Sequence, residues 1–209
     1  YLLKAADALS TLDASASRDL LVRLESAVPD DERVVGMLAD LARAEGDVEE
    51  EVSALRRLAK VTGSKERRLQ ALRRAAELSE DGELLRLVVL NDPEDLSARL
   101  ALARVAERNE AWSSVIQEYV GIAELQVGEP AAAALHRAAM TAWNHLKDRD
   151  RAIELLGEAL ECLEDIAQYP QAFMDLAAIY EAEGDDGAAA AVLGPYFGHG
   201  RIPAHFRVV

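Results

Sequence analysis

Residues 173–189 read FMDLAAIYEAEGDDGAA, and this stretch decides the fold more directly than any other. Its apolar residues, such as Phe173, Leu176 and Tyr180, recur at the three- and four-residue spacing of one face of an α-helix. A turn at Gly184 interrupts the pattern, and a second run rich in small residues follows it. The stretch therefore predicts two helices joined by a short turn, packed side by side.

The same kind of turn recurs along the chain at near-constant spacing. The turn positions are 46, 82, 110, 148 and 184, which step by 36, 28, 38 and 36 residues. Self-similarity at such a period indicates stacked supersecondary units rather than one globular core. Repeat arrays mostly bind partners along an extended surface, so the functional question moves from a pocket to a surface.

The stretch 173–189 resembles a tetratricopeptide repeat. The residues that occupy the positions of that family are Phe173, Leu176, Ala177, Tyr180, Gly184 and Ala189. The preceding turns fit the family in part, and Glu51 stands where the family has a small residue. The resemblance implies a right-handed superhelix of helix hairpins that binds proteins or peptides, although other helical solenoids share much of the pattern.

We predict an all-α protein, a right-handed α-solenoid of about six antiparallel hairpins over residues 1–197, with an irregular tail over 198–209. The handedness follows from the family resemblance alone. The predicted helices are 1–10 with 14–27, 31–45 with 48–61, 65–79 with 82–91, 94–108 with 111–126, 130–146 with 149–168, and 170–183 with 186–197. The start at Tyr1 and the end at Val209 indicate a segment of a longer protein.

Charge and cysteine content narrow the classes of partner and compartment. The chain has 23 Lys and Arg against 38 Asp and Glu, which gives a formal charge of −15. Binding to nucleic acid or to anionic lipid needs a basic face, so this balance disfavours both partners. Cys162 is the single cysteine, which excludes an intrachain disulfide and favours a reducing compartment such as the cytoplasm. The sequence has no apolar run of about 18 residues, so we predict no membrane insertion.

The sequence shows no constellation of residues typical of an enzyme, a metal site or a cofactor site. His136 and His145 are nine residues apart on one predicted helix, so their side chains face different sides of it. Zinc needs convergent ligands, and Cys162 has no partner thiol. Gly194 and Gly198 lack the strand-to-helix setting of a phosphate-binding loop. We therefore predict no catalytic residues, no metal and no cofactor.

The tetratricopeptide resemblance implies that the first helix of each hairpin lines a concave, partner-binding groove. Carried over residue by residue, it selects as binding residues Arg104, Arg108, Arg137, Thr141, Asn144, His145, Gln171 and Met174. The same face includes Arg33, Asp40, Arg43, Ser97, Leu100, Ala178 and Glu181. Because arginine binds carboxylates in a bidentate manner, we hypothesise an acidic or C-terminal-carboxylate peptide as the partner. The alternative is that these arginines pair with neighbouring Glu and Asp residues of the chain itself.

Three functional hypotheses remain at this stage. The leading one is a scaffold or adaptor that binds a protein or peptide. The second is a regulatory segment that packs on an attached catalytic or DNA-binding domain. The third is RNA binding by a helical repeat, which the acidic balance opposes. Self-association is a further expectation, because Tyr1, Leu2 and Leu3 leave an apolar edge without a polar cap.

Overall fold

The structure, a computed structural model, describes residues 14–165 and 168–198, which form eleven α-helices and contain no β-strand. The helices are α1 (Ala14–Ala27), α2 (Glu32–Glu45), α3 (Val48–Val61), α4 (Lys65–Ser79), α5 (Gly82–Asn91), α6 (Leu96–Arg108), α7 (Trp112–Ala123), α8 (Glu129–Thr141), α9 (Arg149–Glu161), α10 (Pro170–Ala182) and α11 (Asp186–Gly198). A π-helical turn, Ala142–Leu146, continues α8. The all-α class that the sequence predicts is confirmed. Among the described helices, none combines the length and the apolar character that crossing a membrane requires.

The chain divides into two compact units, Tyr1–Val105 and Ala106–Val209. In the first unit α1 packs against α2, α2 against α3, α3 against α4, and α4 against α5. In the second unit α7 to α11 do the same, and α8 also contacts α10. Because the connections are short, consecutive helices run antiparallel, which gives the consecutive hairpins that the sequence predicts. The predicted helix 1–10 and the tail 199–209 lie outside the described residues.

Aspartate side chains begin most of the helices. The N-cap carboxylates of Asp31, Asp47, Asp81 and Asp148 accept backbone N–H bonds from the first turns of α2, α3, α5 and α9. Asp95 does the same for α6, where its Oδ1 accepts from the N–H of Ala98. This cap explains why α6 begins at Leu96 rather than at residue 94. Pro130 and Pro170 lie in the first turns of α8 and α10, as predicted.

Left-handed residues end the first helix of each of the five hairpins between residues 32 and 198. They are Gly46, Glu80, Glu110, Lys147 and Gly184, with φ angles of 74°, 48°, 54°, 55° and 76°. The left-handed turn residues are therefore 80 and 147, whereas the sequence predicts turns at 82 and 148. After Gly46, Glu110 and Gly184, the next residue donates its N–H to the carbonyl five residues back, which belongs to Ala42, Ala106 and Tyr180 respectively. These bonds close the helices and set a common register for them.

Two predicted helices are shorter in the structure. Helix α9 ends at Glu161 instead of residue 168. Its last turn already holds Glu158 and Glu161 with no basic residue, and a longer helix would add Glu164 and Asp165 at the negative end of the helix dipole. Helix α7 ends at Ala123 instead of residue 126. There the backbone forms hydrogen bonds of the 3₁₀ type, in which an N–H donates to the carbonyl three residues back. Leu125 N–H donates to the carbonyl of Ile122, and Gln126 N–H donates to the carbonyl of Ala123.

The common register of the helices places equivalent residues in the core. Three residues before each closing carbonyl lies a buried alanine, namely Ala39 in α2, Ala103 in α6, Ala139 in α8 and Ala177 in α10. Alanine at this position lets a neighbouring helix approach closely. Larger side chains fill the space around it, such as Leu38, Leu135, Leu155, Leu156 and Phe173. The core is thus a series of similar interfaces between successive helices.

Candidate functional site

The first helices of the hairpins, α2, α4, α6, α8 and α10, are called the A helices below. In α2, α6 and α10 the closing carbonyl gives equivalent positions, and three of these positions lie beside the buried alanines, on the more exposed side of the helix. They lie six residues before, two residues before and one residue after the closing carbonyl, and they are called the A-face. The A-face of α6 is Leu100, Arg104 and Glu107, and that of α10 is Met174, Ala178 and Glu181. All six of these residues are half-buried or exposed.

The π-helical turn changes the register of α8 by one residue. The N–H groups of Lys147 and Asp148 both donate to the carbonyl of Ala142, which lies five and six residues back. In α2 the corresponding pair, Gly46 and Asp47, donate to Ala42, four and five residues back. The turn before Lys147 therefore contains one extra residue. The A-face of α8, counted from Ala142, is His136, Met140 and Trp143.

This register places the predicted binding residues of α8 beside the A-face rather than on it. Thr141 matches Leu41 and Ile179, which are buried in their own helices, and its hydroxyl donates to the carbonyl of Arg137. Asn144 and His145 are exposed and lie within the extra turn. On α10, Met174 lies on the A-face, and Gln171 lies one turn before it. Arg104 is exposed in the first unit, and Arg108 is exposed at the end of α6.

Arg137 is exposed but already engaged inside the second unit. Its Nη2 donates to Oε1 of Glu107 at 3.3 Å, and its guanidinium carbon lies 4.7 Å from the centroid of the Tyr119 ring. The hydroxyl of Tyr119 also donates to Oε1 of Glu107, at 3.2 Å. Ion pairing and the cation–π contact hold this arginine, so a partner would have to share or displace Glu107.

A polar cluster that sequence reasoning missed joins α8 to α10. Nε2 of His136 lies 2.6 Å from Oδ2 of Asp175, and the hydroxyl of Tyr169 lies 3.2 Å from Nδ1 of the same ring. Gln171 donates to Oδ2 of Asp175 at 3.0 Å. The side chains of His136 and Asp175 are only 12% and 23% exposed, so this pair is largely shielded from water, whereas Gln171 is exposed. The position of His136 on the A-face could have identified it from the sequence. The extra residue of the π-helical turn shifts the register of α8 and hides that position.

The aromatic side chains of the second unit differ in burial. Phe173 is buried, whereas Trp112, Trp143 and Tyr180 are half-buried. Trp112 stacks on the exposed His145, with ring centroids 3.6 Å apart and planes inclined by 15°. The stack lies at the start of α7 and in the π-helical turn, so it secures the end of the α8 helix.

In the first unit several arginines pair with carboxylates of the chain itself. Oε1 of Glu51, a residue only 3% exposed, accepts from Nε of Arg43 at 2.9 Å and from Nε of Arg74 at 3.0 Å. Burial raises the pKa of Glu51 and the two guanidiniums lower it, and the net shift is downward. Other pairs between elements join Arg57 to Glu25, Arg67 to Glu32, and Arg73 to Asp92 and Asp95. Arg43 is therefore an internal ion-pair partner.

The chemistry of the described side chains does not assemble a metal or nucleophile site. Within residues 16–165 and 168–194, no group of three or more His, Cys, Asp or Glu side chains is placed to hold a metal ion. Burial, followed by the charges of Glu158 and Glu161, raises the pKa of the Cys162 thiol. The thiol is therefore held in its protonated form, which is the weakly nucleophilic one.

The backbone is similar to several solved structures of helical repeat proteins. BtubC from P. vanneervenii matches with 20% identity over 98% of this chain and 96% of that chain, with a TM-score of 0.44. MamA matches with 16% identity over 85% of this chain and 96% of that chain, with a TM-score of 0.45. YrrB, described as a TPR protein with an unusual peptide-binding site, matches with 13% identity over 82% and 89% of the two chains, with a TM-score of 0.42.

No protein-family model matches the chain, and no curated protein matches it. The likeness to the solved structures, at these identities and scores, assigns no function to this chain. The functional inference rests instead on the hairpins and side chains described above.

Proposed function

We propose that the chain is a protein-interaction module that binds segments of a partner protein along the A-faces of the hairpins within each unit. The observation that carries the proposal is the recurrence of half-buried and exposed A-face residues beside invariantly buried alanines. A set of side chains at equivalent, partly or fully exposed positions offers repeated contact points to an extended or helical segment.

The chemistry of the partner is the finer part of the proposal. Exposed arginines favour an acidic or C-terminal-carboxylate segment. Arg43 is satisfied by Glu51, and Arg137 is paired with Glu107, so this preference depends chiefly on Arg104, an exposed arginine of the first unit.

Affinity capture from the native lysate tests the proposal, with bound proteins identified by mass spectrometry. The wild-type chain is compared with the Arg104→Glu/Arg137→Glu variant, and Arg86→Glu on the exposed face of α5 serves as the control. Loss of a captured partner with the double variant alone supports binding through the arginines. Retention of every partner by the double variant contradicts the acidic-segment preference. Absence of any specific partner contradicts the interaction module itself.

No observation on the described residues specifically supports an RNA-binding repeat. The same holds for a regulatory segment that packs on an attached domain. The interaction module therefore stands as the proposal.

A further inference from the structure

The extra residue of the π-helical turn changes the chemistry of the second unit's binding face. Counting from Lys147 as if α8 ended like α2 would place Arg137, Thr141 and Asn144 on the A-face. The hydrogen bonds to Ala142 instead place His136, Met140 and Trp143 there. His136 is tied to Asp175 of α10, so α8 and α10 lie side by side along this face.

The A-face of α8 and α10 is then largely apolar. Met140, Trp143 and Met174 are half-buried, and Ala178 is exposed. Methionine side chains are flexible and polarisable, and they suit surfaces that accept apolar side chains from a partner. Trp143 adds a large aromatic surface of the kind enriched at the energetic centres of interfaces. Within the described residues, the rest of the chain covers the side chains of Met140, Trp143 and Met174 only in part.

Charge selects among the apolar segments that could bind there. Residues 106–209 contain 17 Asp and Glu against seven Lys and Arg, so this half of the chain carries a formal charge of −10. Glu181, on the same A-face, is exposed, and Arg137 next to the face is already paired with Glu107. An acidic segment would meet like charge here, whereas a lysine or arginine beside an apolar anchor would meet Glu181.

We propose that the α8–α10 face of the second unit binds a partner segment that carries apolar anchor side chains flanked by Lys or Arg. The proposal rests on the interaction module proposed above and names the partner chemistry of one of its two units. Apolar side chains of the partner pack on Met140, Met174 and Trp143. Its cationic residue pairs with Glu181. The acidic-segment preference, where it applies, is thereby confined to Arg104 of the first unit.

Selection from a library of random 12-residue peptides tests the composition directly. The immobilised 209-residue chain carries Arg104→Glu, which removes the contact of the first unit that favours acidic segments. We expect the enriched sequences to combine Leu, Phe, Ile or Met with Lys or Arg and to be poor in Asp and Glu. The best selected peptide, labelled with fluorescein, is then titrated against variants by anisotropy. Met140→Gln/Met174→Gln is expected to weaken binding about tenfold or more, because central anchors dominate interface energies.

Matched variants separate the face from its surroundings. Glu181→Lys is expected to weaken binding several-fold and to reduce its dependence on salt. Gln117→Asn, at an exposed position of α7, is the control and should bind like wild type. Ala178→Arg changes an exposed position, so it blocks the strip even if the methionine variant fails to fold, which circular dichroism reports.

Four results would overturn the proposal. They are enrichment of acidic peptides, enrichment of peptides without apolar residues, full binding by both the methionine variant and Ala178→Arg, and binding that appears only after removal of residues 199–209. The last result would make the chain's own tail, which has Arg201 and Arg207 but no acidic residue, the occupant. If no peptide is enriched while the lysate still yields a partner, this proposal fails and the interaction module stands. If neither experiment yields binding, both fail.

Discussion

Glu51 of α3 accepts a hydrogen bond from Arg74 of α4 at 3.0 Å although its own side chain is almost fully buried. The equivalent residues of the later hairpins, five positions after the left-handed turn residue, are Leu85, Val115, Ala152 and Ala189, all of them buried. The resemblance to tetratricopeptide repeats implies a small residue here, and the first unit has a carboxylate instead. Arg43 and Arg74 supply the two positive charges that make its burial possible.

This arrangement predicts an asymmetry between the partners. Glu51→Leu, which copies Leu85, should change the free energy of unfolding little, by about 1 kcal/mol in either direction, because the half-exposed arginines can turn to water. Arg43→Met/Arg74→Met should destabilise by about 3 kcal/mol or more, because it leaves a buried carboxylate without a partner. Urea unfolding of the two variants measures both values. Equal destabilisation by the two would contradict the account.

Acid should act on the same carboxylate. The pKa of Glu51 is lowered in the folded chain, so its ion pairs stabilise the fold above the ordinary glutamate value and are lost as the pH falls below it. Below about pH 4.5, unfolding stability should therefore fall more steeply for wild type than for Glu51→Leu. Glu49→Gln, at an exposed position of the same helix, is the control for general charge effects. Parallel pH profiles for wild type and Glu51→Leu would show that the pair does not contribute.

The turn residues should respond oppositely to glycine and alanine. Glu110 has a φ of 54°, a left-handed conformation that costs a residue with a side chain about 1 kcal/mol. Glu110→Gly should raise stability by up to that amount, and Gly184→Ala, at a φ of 76°, should lower it by about 1 kcal/mol. Gly63→Ala is the matched control, since its φ is not left-handed and an added Cβ meets no atom within 4 Å. Thermal unfolding of the three variants decides the outcome, and stabilisation by Gly184→Ala would contradict the turn geometry.

The polar link between α8 and α10 should contribute to the stability of the second unit. Asp175→Ala leaves His136 and Gln171 without their common acceptor in a largely shielded site. We expect a loss of about 1–3 kcal/mol, the usual effect of leaving a shielded polar group unpaired. Asp186→Ala, an exposed residue in the first turn of α11, is the control. A change within the error of the control would show that the helices do not depend on this contact. Amide hydrogen exchange in α8 and α10 reports the change locally.

Periodicity and turn chemistry were sufficient to predict most of the fold. The spacing of Leu38, Ala39 and Ala42 follows α2, and the Gly-Asp turn after it has the predicted form, because both depend on local rules of helix geometry and capping. Helix α9 ends earlier than the sequence predicts, because no proline or glycine marks its end and only the charge at the helix terminus opposes its extension.

The candidate site was less accessible to sequence reasoning. A single extra residue before Lys147 rotates the face of α8, and the side chains themselves give no sign of a π-helical turn. The pairing of His136 with Asp175, 39 residues away, depends on how two helices pack rather than on any local pattern. The same holds for Glu51, whose position in the repeat was visible but whose two arginine partners on α2 and α4 were not.

The central claim, that partners bind along the A-faces, is tested most directly by amide hydrogen exchange of the chain with and without a captured partner or a selected peptide. The account predicts slowed exchange in α8 and α10 of the second unit, lost with Ala178→Arg and retained with Gln117→Asn. Protection confined to the second helices α7, α9 and α11, or unchanged by Ala178→Arg, would contradict it.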